Sequence, residues 1–230
     1  MADTPPPARI PAADRAYELT KDLILGGGLP GGALISEGEI AERAELSRTP
    51  VREAFLRLQA EGLLQLFPKR GAVVVPVGPG EAEDVLELRE ALESTAVRRI
   101  TGRPDDLTAL VRQLSELIDR QREPARRADV GAFADADEAF HRGIVTASGN
   151  ELAERFYGTL RDRQRRMAVQ LLRPQPERLA SLVDEHTALV ERIAARDAEG
   201  FTAVLRTHLG AHLGAGPGAH PGAHRADTGG

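Results

Sequence analysis

The spacing of apolar and polar residues divides the chain into two parts near VPVGPGEAED. Before this stretch the pattern changes repeatedly, as it does where short helices and strands follow one another. After it, apolar residues recur at helical spacing almost to the end of the chain. We therefore expect two domains, a small mixed one over residues 10–77 and an all-helical one over residues 78–213.

The first domain is predicted to begin with two helices. One spans residues 12–25 and ends at the glycines of GGGLPGG. The next runs from Glu37 to about Ala44, with Ser36 placed as its N-cap. Glu39, three residues after Ser36, completes a capping box. A tight turn then leads into a third helix.

The stretch SRTPVREAFLRLQAEGLL predicts the third helix. Ser47 or Thr49 can cap it, Pro50 suits its first turn, and Gly62 ends it. Its buried side carries four apolar residues, Val51, Phe55, Leu58 and Leu63. LLQLFPKRGAVVVPV then alternates about a turn at PKRG, which is the pattern of a β-hairpin. Two helices joined by a tight turn and followed by a hairpin form a winged helix-turn-helix.

The second domain is predicted to be an antiparallel six-helix bundle, because its helical segments are joined by short connections. Glycine and proline residues mark the boundaries, and the segments lie near residues 79–101, 104–122, 127–147, 150–172, 176–196 and 197–213. The face of the first helix expected to turn inward carries Val85, Leu88, Leu92 and Val97. The expected fold is therefore mostly α, a winged helix-turn-helix followed by this bundle.

Composition narrows the class of protein. Of the 230 residues, 41% are apolar and 28% are charged, as in ordinary globular domains. The absence of cysteine excludes disulfides and thiolate chemistry, and 3% aromatic residues without Trp disfavour RNA binding by base stacking. No apolar run is long enough to span a membrane, and we expect a cytoplasmic protein. Residues 1–9 and 214–230 are expected to be disordered tails.

The local charge of the first domain differs from the net charge of −5. Between residues 46 and 71, five basic residues stand against two acidic ones, a local net charge of +3. The second helix of a helix-turn-helix places its N-terminal residues in the major groove, and these are Ser47, Arg48, Thr49 and Arg52. Arg70 and Gly71 lie at the hairpin tip, where a wing would meet DNA. The alternative is that Arg48 and Arg52 only solvate the helix and pair with Glu53.

LSRTPVREAFLRLQAEGLLQLFPKRGAVV closely resembles the DNA-binding domain of the GntR family of bacterial transcription regulators. The resemblance covers roughly residues 10–77 and rests on SRTPVREA, an L..EGL pattern and an RGA.V wing. Many members carry ERELAERLGVSR where this chain has EGEIAERAELSR. Gly38 thus stands where a DNA-contacting arginine is common, and Glu45 replaces the turn glycine. These departures imply one contact fewer and a like charge near the DNA.

Residues 80–213 resemble the all-helical effector domain of the FadR-like branch of this family. The matching stretches are ELREALE, DEAFHRGIVTASGN and EHTALVERIAARD, followed by a last helix that carries histidine. In many members of the branch, an aspartate and three histidines hold a divalent metal ion. The matching residues in this chain are Asp137, His141, His186 and His208, so the resemblance implies a metal site.

The residues around these four positions agree with that implication. Asp137 and His141, four residues apart, share one side of a helix with its large apolar residues, and His186 and His208 also fall on apolar faces. Burying such groups without partners is unfavourable, so they need each other, a water cluster or a cation. Three imidazoles and a carboxylate favour Zn²⁺, with Ni²⁺, Mn²⁺ or Fe²⁺ as alternatives, over Ca²⁺ or Mg²⁺.

The resemblance also implies an effector, a small carboxylate metabolite bound at or beside the metal. Arg89 repeats with the inward face of its helix and could pair with that carboxylate, and a salt bridge to Glu93 or another helix is the alternative. Asn150 resembles an effector-binding position, although an N-cap after Gly149 explains it adequately.

The function expected from both halves is a homodimeric, ligand-responsive transcriptional regulator, most simply a repressor, that binds a palindromic double-stranded DNA operator. Two alternatives use the same aspartate and histidines. One is a metal-dependent enzyme, against which the helical domain offers no obvious further base or nucleophile. The other is a regulator whose metal site is purely structural.

Overall fold

The computed structural model describes residues 10–212, so the two tails predicted to be disordered lie outside the described residues. The first domain contains α1 (Ala12–Leu25), α2 (Glu37–Ala44), α3 (Arg48–Ala60), β1 (Leu34–Ile35), β2 (Leu64–Phe67) and β3 (Gly71–Val74). The strands form an antiparallel sheet in the order β1-β3-β2. The predicted winged helix-turn-helix is confirmed. Strand β1 was not predicted, because two residues are too few to show a period.

The turn that joins α2 to α3 is built from local hydrogen bonds and one unusual backbone conformation. The Ser36 hydroxyl accepts from the Glu39 amide at 3.1 Å, which confirms Ser36 as the N-cap of α2. At the other end, Glu45 has a φ of 55°, in the left-handed region where glycine is least strained. Ser47 occupies the N-cap position of α3 without a side-chain cap hydrogen bond.

The core of the winged domain holds α3 against α1 and the sheet. The four apolar residues predicted for the inner side of α3 and the turn after it are all buried. They share one cluster with residues from α1, α2 and all three strands, including Ile24, Ile35, Ile40 and Val74. Because its inner side is fixed in this way, α3 presents its other side to solvent.

The second domain is the predicted helical bundle, with one segment divided. It contains α4 (Pro79–Thr101), α5 (Thr108–Arg126), α6 (Val130–Ala147), α7 (Glu151–Gly158), α8 (Arg161–Leu172), α9 (Arg178–Ala194) and α10 (Ala198–His212). The segment predicted near 150–172 is interrupted at Thr159 and Leu160, whose amides bond to the carbonyls three residues before them, both at 3.0 Å. Pro124, used as a helix boundary in the prediction, lies inside the last turn of α5.

Three of the four apolar residues predicted for the inner face of α4 lie against the core, Leu92 being partly buried there, and Leu88 is the exception. Val85 and Val97 are buried, but Leu88 is 37% exposed. The positions that complete the inner face are Arg89 and Glu93, both fully enclosed. The inward stripe of α4 therefore includes a buried ion pair, and Leu88 lies beside it on the outer surface.

Helix α8 connects the two domains by direct contacts. Asp162 pairs with Lys21 of α1 at 2.7 Å. Arg173 donates to the carbonyl oxygens of Gly26 and Gly27 in the turn after α1, both at 2.7 Å. These bonds hold the winged domain against the bundle, in addition to the covalent link between β3 and α4. No helix within residues 10–212 is both long and apolar enough to cross a membrane.

Candidate metal centre and nucleic-acid interface

The start of α3 exposes the side chains predicted to contact DNA. The burial of the inner side of α3 leaves Ser47, Arg48, Thr49 and Arg52 accessible to solvent. Arg48 and Arg52 are one helical turn apart and therefore point in a similar direction. A Cβ at Gly38 would lie 3.3 Å from the Arg48 guanidinium, so the small residue in α2 leaves room for that arginine. The N-terminal edge of α3 is thus a basic, exposed surface.

At the hairpin tip, the side chain of Arg70 is exposed to solvent, and the backbone conformation of the next residue requires Gly71. Gly71 has a φ of 99°, and a Cβ there would lie 2.3 Å from the carbonyl oxygen of Ile35. Real side chains do not tolerate such an approach, so this position requires glycine. Arg70 is exposed at the tip, next to the exposed Lys69, and its charged side chain is available to DNA, while Gly71 allows β3 to pass close to β1.

Four titratable side chains from three helices meet inside the bundle. Asp137 and His141 come from α6, His186 from α9 and His208 from α10, and all four are buried. Each offers one ligand atom, and these atoms all lie within 4.8 Å of one another. The structure therefore brings together all four residues that the sequence predicted as metal ligands.

Each imidazole of this cluster donates its Nδ1 proton to an oxygen outside the cluster. The pairs are His141 with Glu93 (2.7 Å), His186 with Gln121 (2.6 Å) and His208 with Glu185 (2.7 Å). Carboxylate and amide oxygens accept, so the ring proton must lie on Nδ1 in each pair. Gln121 presents its oxygen because its Nε2 donates to the Ala136 carbonyl at 3.4 Å. Such outer partners fix the tautomer in which Nε2 is the ligand atom.

The ligand atoms of the cluster lie close to one another. The Nε2 atoms of His141 and His186 lie 3.2 Å apart. In a neutral ring whose proton is on Nδ1, Nε2 carries no hydrogen and can bind a metal. Asp137 Oδ1 lies 3.2 Å from His186 Nε2 and 3.7 Å from His141 Nε2. Ligands bound about 2.0–2.1 Å from Zn²⁺ stand roughly 3.3 Å apart in a tetrahedral arrangement. The spacing and the donor chemistry fit one divalent cation.

The protonation states of the cluster also suit a cation. Burial lowers the pKa of His141, and the Arg89 guanidinium acts in the same direction, so the ring is neutral at pH 7. Burial by itself raises the pKa of Asp137, but the neighbouring imidazoles of His141 and His186 and the Arg89 guanidinium hold that pKa well below its ordinary value. A neutral imidazole and an ionised carboxylate are the forms that bind a metal.

Arg89 lies beside the cluster, and its Nε donates to Glu93 at 3.1 Å. Glu93 also accepts from Tyr157 at 2.9 Å and from His141. Although burial acts in the opposite direction, these partners lower the pKa of Glu93 to about 2. Within the described residues, the buried Arg89 Nη2 has no hydrogen-bond partner. The salt bridge to Glu93 is therefore present, and one donor of the guanidinium is left for an anion.

The residues that bond to the three histidines from outside the cluster, Glu93, Gln121 and Glu185, were not predicted from the sequence. The sequence contained a signal for two of them. Glu93 lies one helical turn after Arg89 on the inner face of α4, and Gln121 follows Leu114 and Ile118 at helical spacing on the inner face of α5. A polar residue on an apolar stripe marks a buried hydrogen bond.

Asn150, predicted to contact the effector, lies at the N-terminus of α7. Its side chain accepts from the Ala153 amide at 3.3 Å, which is the geometry of an N-cap. This hydrogen bond accounts for an asparagine at the position without an effector.

Comparison with known proteins agrees with this architecture. The family model "Bacterial regulatory proteins, gntR family" matches residues 12–74, and the model "FCD domain" matches residues 84–211. An HTH-type transcriptional regulator in an unstable DNA locus of Streptomyces ambofaciens is 32% identical over 85% of this chain and 80% of that protein. The transcriptional repressor RspR of Escherichia coli is 27% identical over 86% of each chain. A putative GntR regulator from Rhodococcus shares the fold, with a TM-score of 0.71 at 20% identity over 88% of this chain and 95% of that one.

Proposed function

Because this chain belongs to the gntR family of bacterial regulatory proteins and carries an FCD domain, it is a DNA-binding transcriptional regulator, and we propose that it is a metal-dependent, effector-responsive repressor. The proposal includes binding as a homodimer to a palindromic operator, with one winged domain on each half-site. A repressor of chromosomal operators works in the cytoplasm. The convergence of four buried ligand atoms, all within 4.8 Å of one another, is the observation that carries the sensing half of this proposal.

The DNA-reading half of the proposal rests on the exposed start of α3. An arginine can hold the O6 and N7 atoms of guanine with two hydrogen bonds, and hydroxyls such as those of Ser47 and Thr49 bind phosphates. Arg48 and Arg52 are the candidates for base contacts, and Arg70 is the candidate for a wing contact. Contacts of this kind need no rearrangement of the core, because all these side chains are already exposed.

The sensing half assigns the cation to Asp137, His141, His186 and His208, and Zn²⁺ is the ion we propose. Bound there, it would supply a positive centre with coordination positions open to a carboxylate oxygen. Arg89 would hold the same carboxylate through Nη2, the donor left over from its pair with Glu93. A ligand regulates only if it binds the two arrangements of the protein with different affinity.

Fluorescence anisotropy with a labelled fragment from upstream of the chain's own gene tests the regulator. We expect specific binding that Arg52→Ala weakens by about 5- to 150-fold, the effect of losing one bidentate base contact. Arg112→Ala, an exposed arginine on α5, is the control and should leave the affinity unchanged. Specific binding that Arg52→Ala does not alter would refute the assignment of the recognition surface.

The role of the metal is tested separately with His186→Ala. Metal content, thermal stability and the release of DNA by small carboxylates are measured on the same preparations. We expect loss of metal together with loss of the effector response. A variant that loses metal and stability but still releases DNA with the effector would show that the site is structural.

A further inference from the structure

A cleft of about 420 Å³ lies between the winged domain and α8, away from the four-residue cluster. One wall comes from the end of α1, the turn after it and the linker after β3, and the other comes from the last turns of α8. Its apolar lining is formed by Ile24, Pro30, Val74, Pro76, Val169 and Pro174. The volume falls in the range of small-molecule sites, roughly 300–1,000 Å³.

Arg166 of α8 and Arg173, the residue directly after α8, line this cleft, and their hydrogen bonds go to neutral groups. Arg166 is only 9% exposed and donates to the Val75 carbonyl. Arg173 donates to the carbonyls of Gly26 and Gly27. Within residues 10–212, neither guanidinium has a carboxylate within salt-bridge distance, since Glu81 and Asp162 act on Arg166 only from longer range.

The other cations of the same interface differ in this respect. Lys21 pairs with Asp162 at 2.7 Å, and Arg165 pairs with Asp135 at 3.0 Å. A guanidinium withdrawn from water without an opposite charge is poorly compensated, and carbonyl oxygens replace only part of what a carboxylate would supply. Burial accordingly lowers the pKa of Arg166. Within the described residues, the cleft therefore combines apolar walls with two guanidinium groups, the nearly buried one of Arg166 and the exposed one of Arg173, that have no carboxylate within salt-bridge distance.

We propose that this cleft is a second ligand site, which binds a small monocarboxylate with an apolar body between the winged domain and α8. The carboxylate would accept from Arg173 and Arg166, and the hydrocarbon part would lie on the apolar walls. The site shares no residue with the metal cluster and does not depend on that cluster for its ligand.

A ligand bound in the cleft would change the hydrogen bonds that connect the end of α8 to the winged domain. A carboxylate that accepts from Arg173 competes with the Gly26 and Gly27 carbonyls for the same donors. The turn is tightly seated, because a Cβ at Gly27 would lie 2.8 Å from a Val169 methyl group. Helix α1, which ends in this turn, packs along α3. A ligand in the cleft would therefore change how firmly the DNA-reading helix is tied to the bundle.

Isothermal titration calorimetry with octanoate as the probe, on the full-length zinc-loaded protein, tests the proposal. Arg173→Gln should weaken binding about tenfold or more, because a charge-assisted hydrogen-bond donor is removed. Gln170→Trp should also weaken it about tenfold or more, because the indole fills the cleft while both arginines remain. Arg112→Gln is the control for loss of a surface arginine, and each variant is checked by circular dichroism and thermal unfolding. If Arg173→Gln does not fold, Gln170→Trp decides.

Arg89→Gln separates this cleft from the metal centre, to which a carboxylate effector is assigned under the proposed function. Octanoate binding that survives Arg89→Gln and is weakened by the two cleft substitutions would support the second site. Binding that Arg89→Gln abolishes and the cleft substitutions leave unchanged would place octanoate at the metal centre and overturn the proposal. Absence of any octanoate binding to the wild-type protein would overturn it as well, without bearing on the metal centre.

Discussion

Replacing Gln121 by leucine tests whether the outer hydrogen bonds of the cluster serve a metal. Gln121 is fully buried, and its amide oxygen lies 2.6 Å from His186 Nδ1. Leucine has a similar size but accepts no hydrogen bond. The ring must then either leave its Nδ1 proton buried without an acceptor or move the proton to Nε2, the atom assigned to the metal.

The magnitude follows from either outcome. A buried donor without an acceptor costs about 1–3 kcal/mol, which is a factor of about 5–150 in an equilibrium constant. Loss of an outer partner of a metal ligand weakens metal binding by about 10–100-fold in other proteins, in agreement with that range. We therefore expect the dissociation constant of Zn²⁺ to rise by about 10–100-fold in Gln121→Leu.

Competition with a chelating zinc indicator at pH 7 measures this constant. Gln113→Leu is the matched control, since it makes the same change at an exposed position of the same helix and should leave zinc affinity unaltered. Gln121→Glu keeps an oxygen opposite His186 and should retain most of the affinity. If Gln121→Leu folds and binds zinc as tightly as the wild-type protein, the assignment of His186 Nε2 as a ligand atom is wrong.

Three further predictions concern the backbone and the pH dependence. Gly71→Ala should destabilise the protein by more than about 3 kcal/mol in thermal unfolding, because a strained positive φ is added to a clash with the Ile35 carbonyl. Gly32 also has a positive φ, 84°, but open space around it, so Gly32→Ala should cost only about 1–2 kcal/mol. Equal losses would contradict the clash. Glu45→Gly should raise the free energy of unfolding by up to about 1 kcal/mol in urea titrations, because it relieves a left-handed conformation. Finally, the pKa of His141 is lowered from its ordinary 6.5 in the metal-free folded protein, so the unfolded chain binds a proton at this residue more readily than the folded protein does. Stability should therefore fall as pH drops below about 6.5, and a slope unchanged in His141→Gln would count against this explanation.

The winged domain was predictable almost residue by residue because its signals are local. The N-cap at Ser36, the buried side of α3 around Phe55 and the turn before Gly71 each depend on neighbouring residues. Strand β1 was missed because its pairing with β3 depends on residues almost forty positions away. Local chemistry sets the helices and the hairpin, and long-range contact adds the third strand.

The metal ligands were visible in the sequence, but their outer partners were not. Asp137 and His141 stand out as polar residues on an apolar face of one helix. Glu93 and Gln121 reach the cluster from α4 and α5, and which of their atoms meet which ring depends on how the helices pack. The error at Leu88 has the same origin, since a buried ion pair on α4 occupies a face that hydrophobicity alone assigns to apolar residues.

The seating of the winged domain on α8 limits how this regulator can be recombined with others. A chimera cut in the linker after β3 would keep the whole DNA-reading domain of this chain. It would nevertheless lose Asp162, one partner of Lys21, and Arg173, which donates to Gly26 and Gly27. Asp162 lies on α8, which begins at Arg161, and Arg173 directly follows that helix. A new sensor domain would have to supply an acidic residue and an arginine at the same places, or receive α8 along with the DNA-reading domain. The unit that can be exchanged between regulators is therefore discontinuous in the sequence.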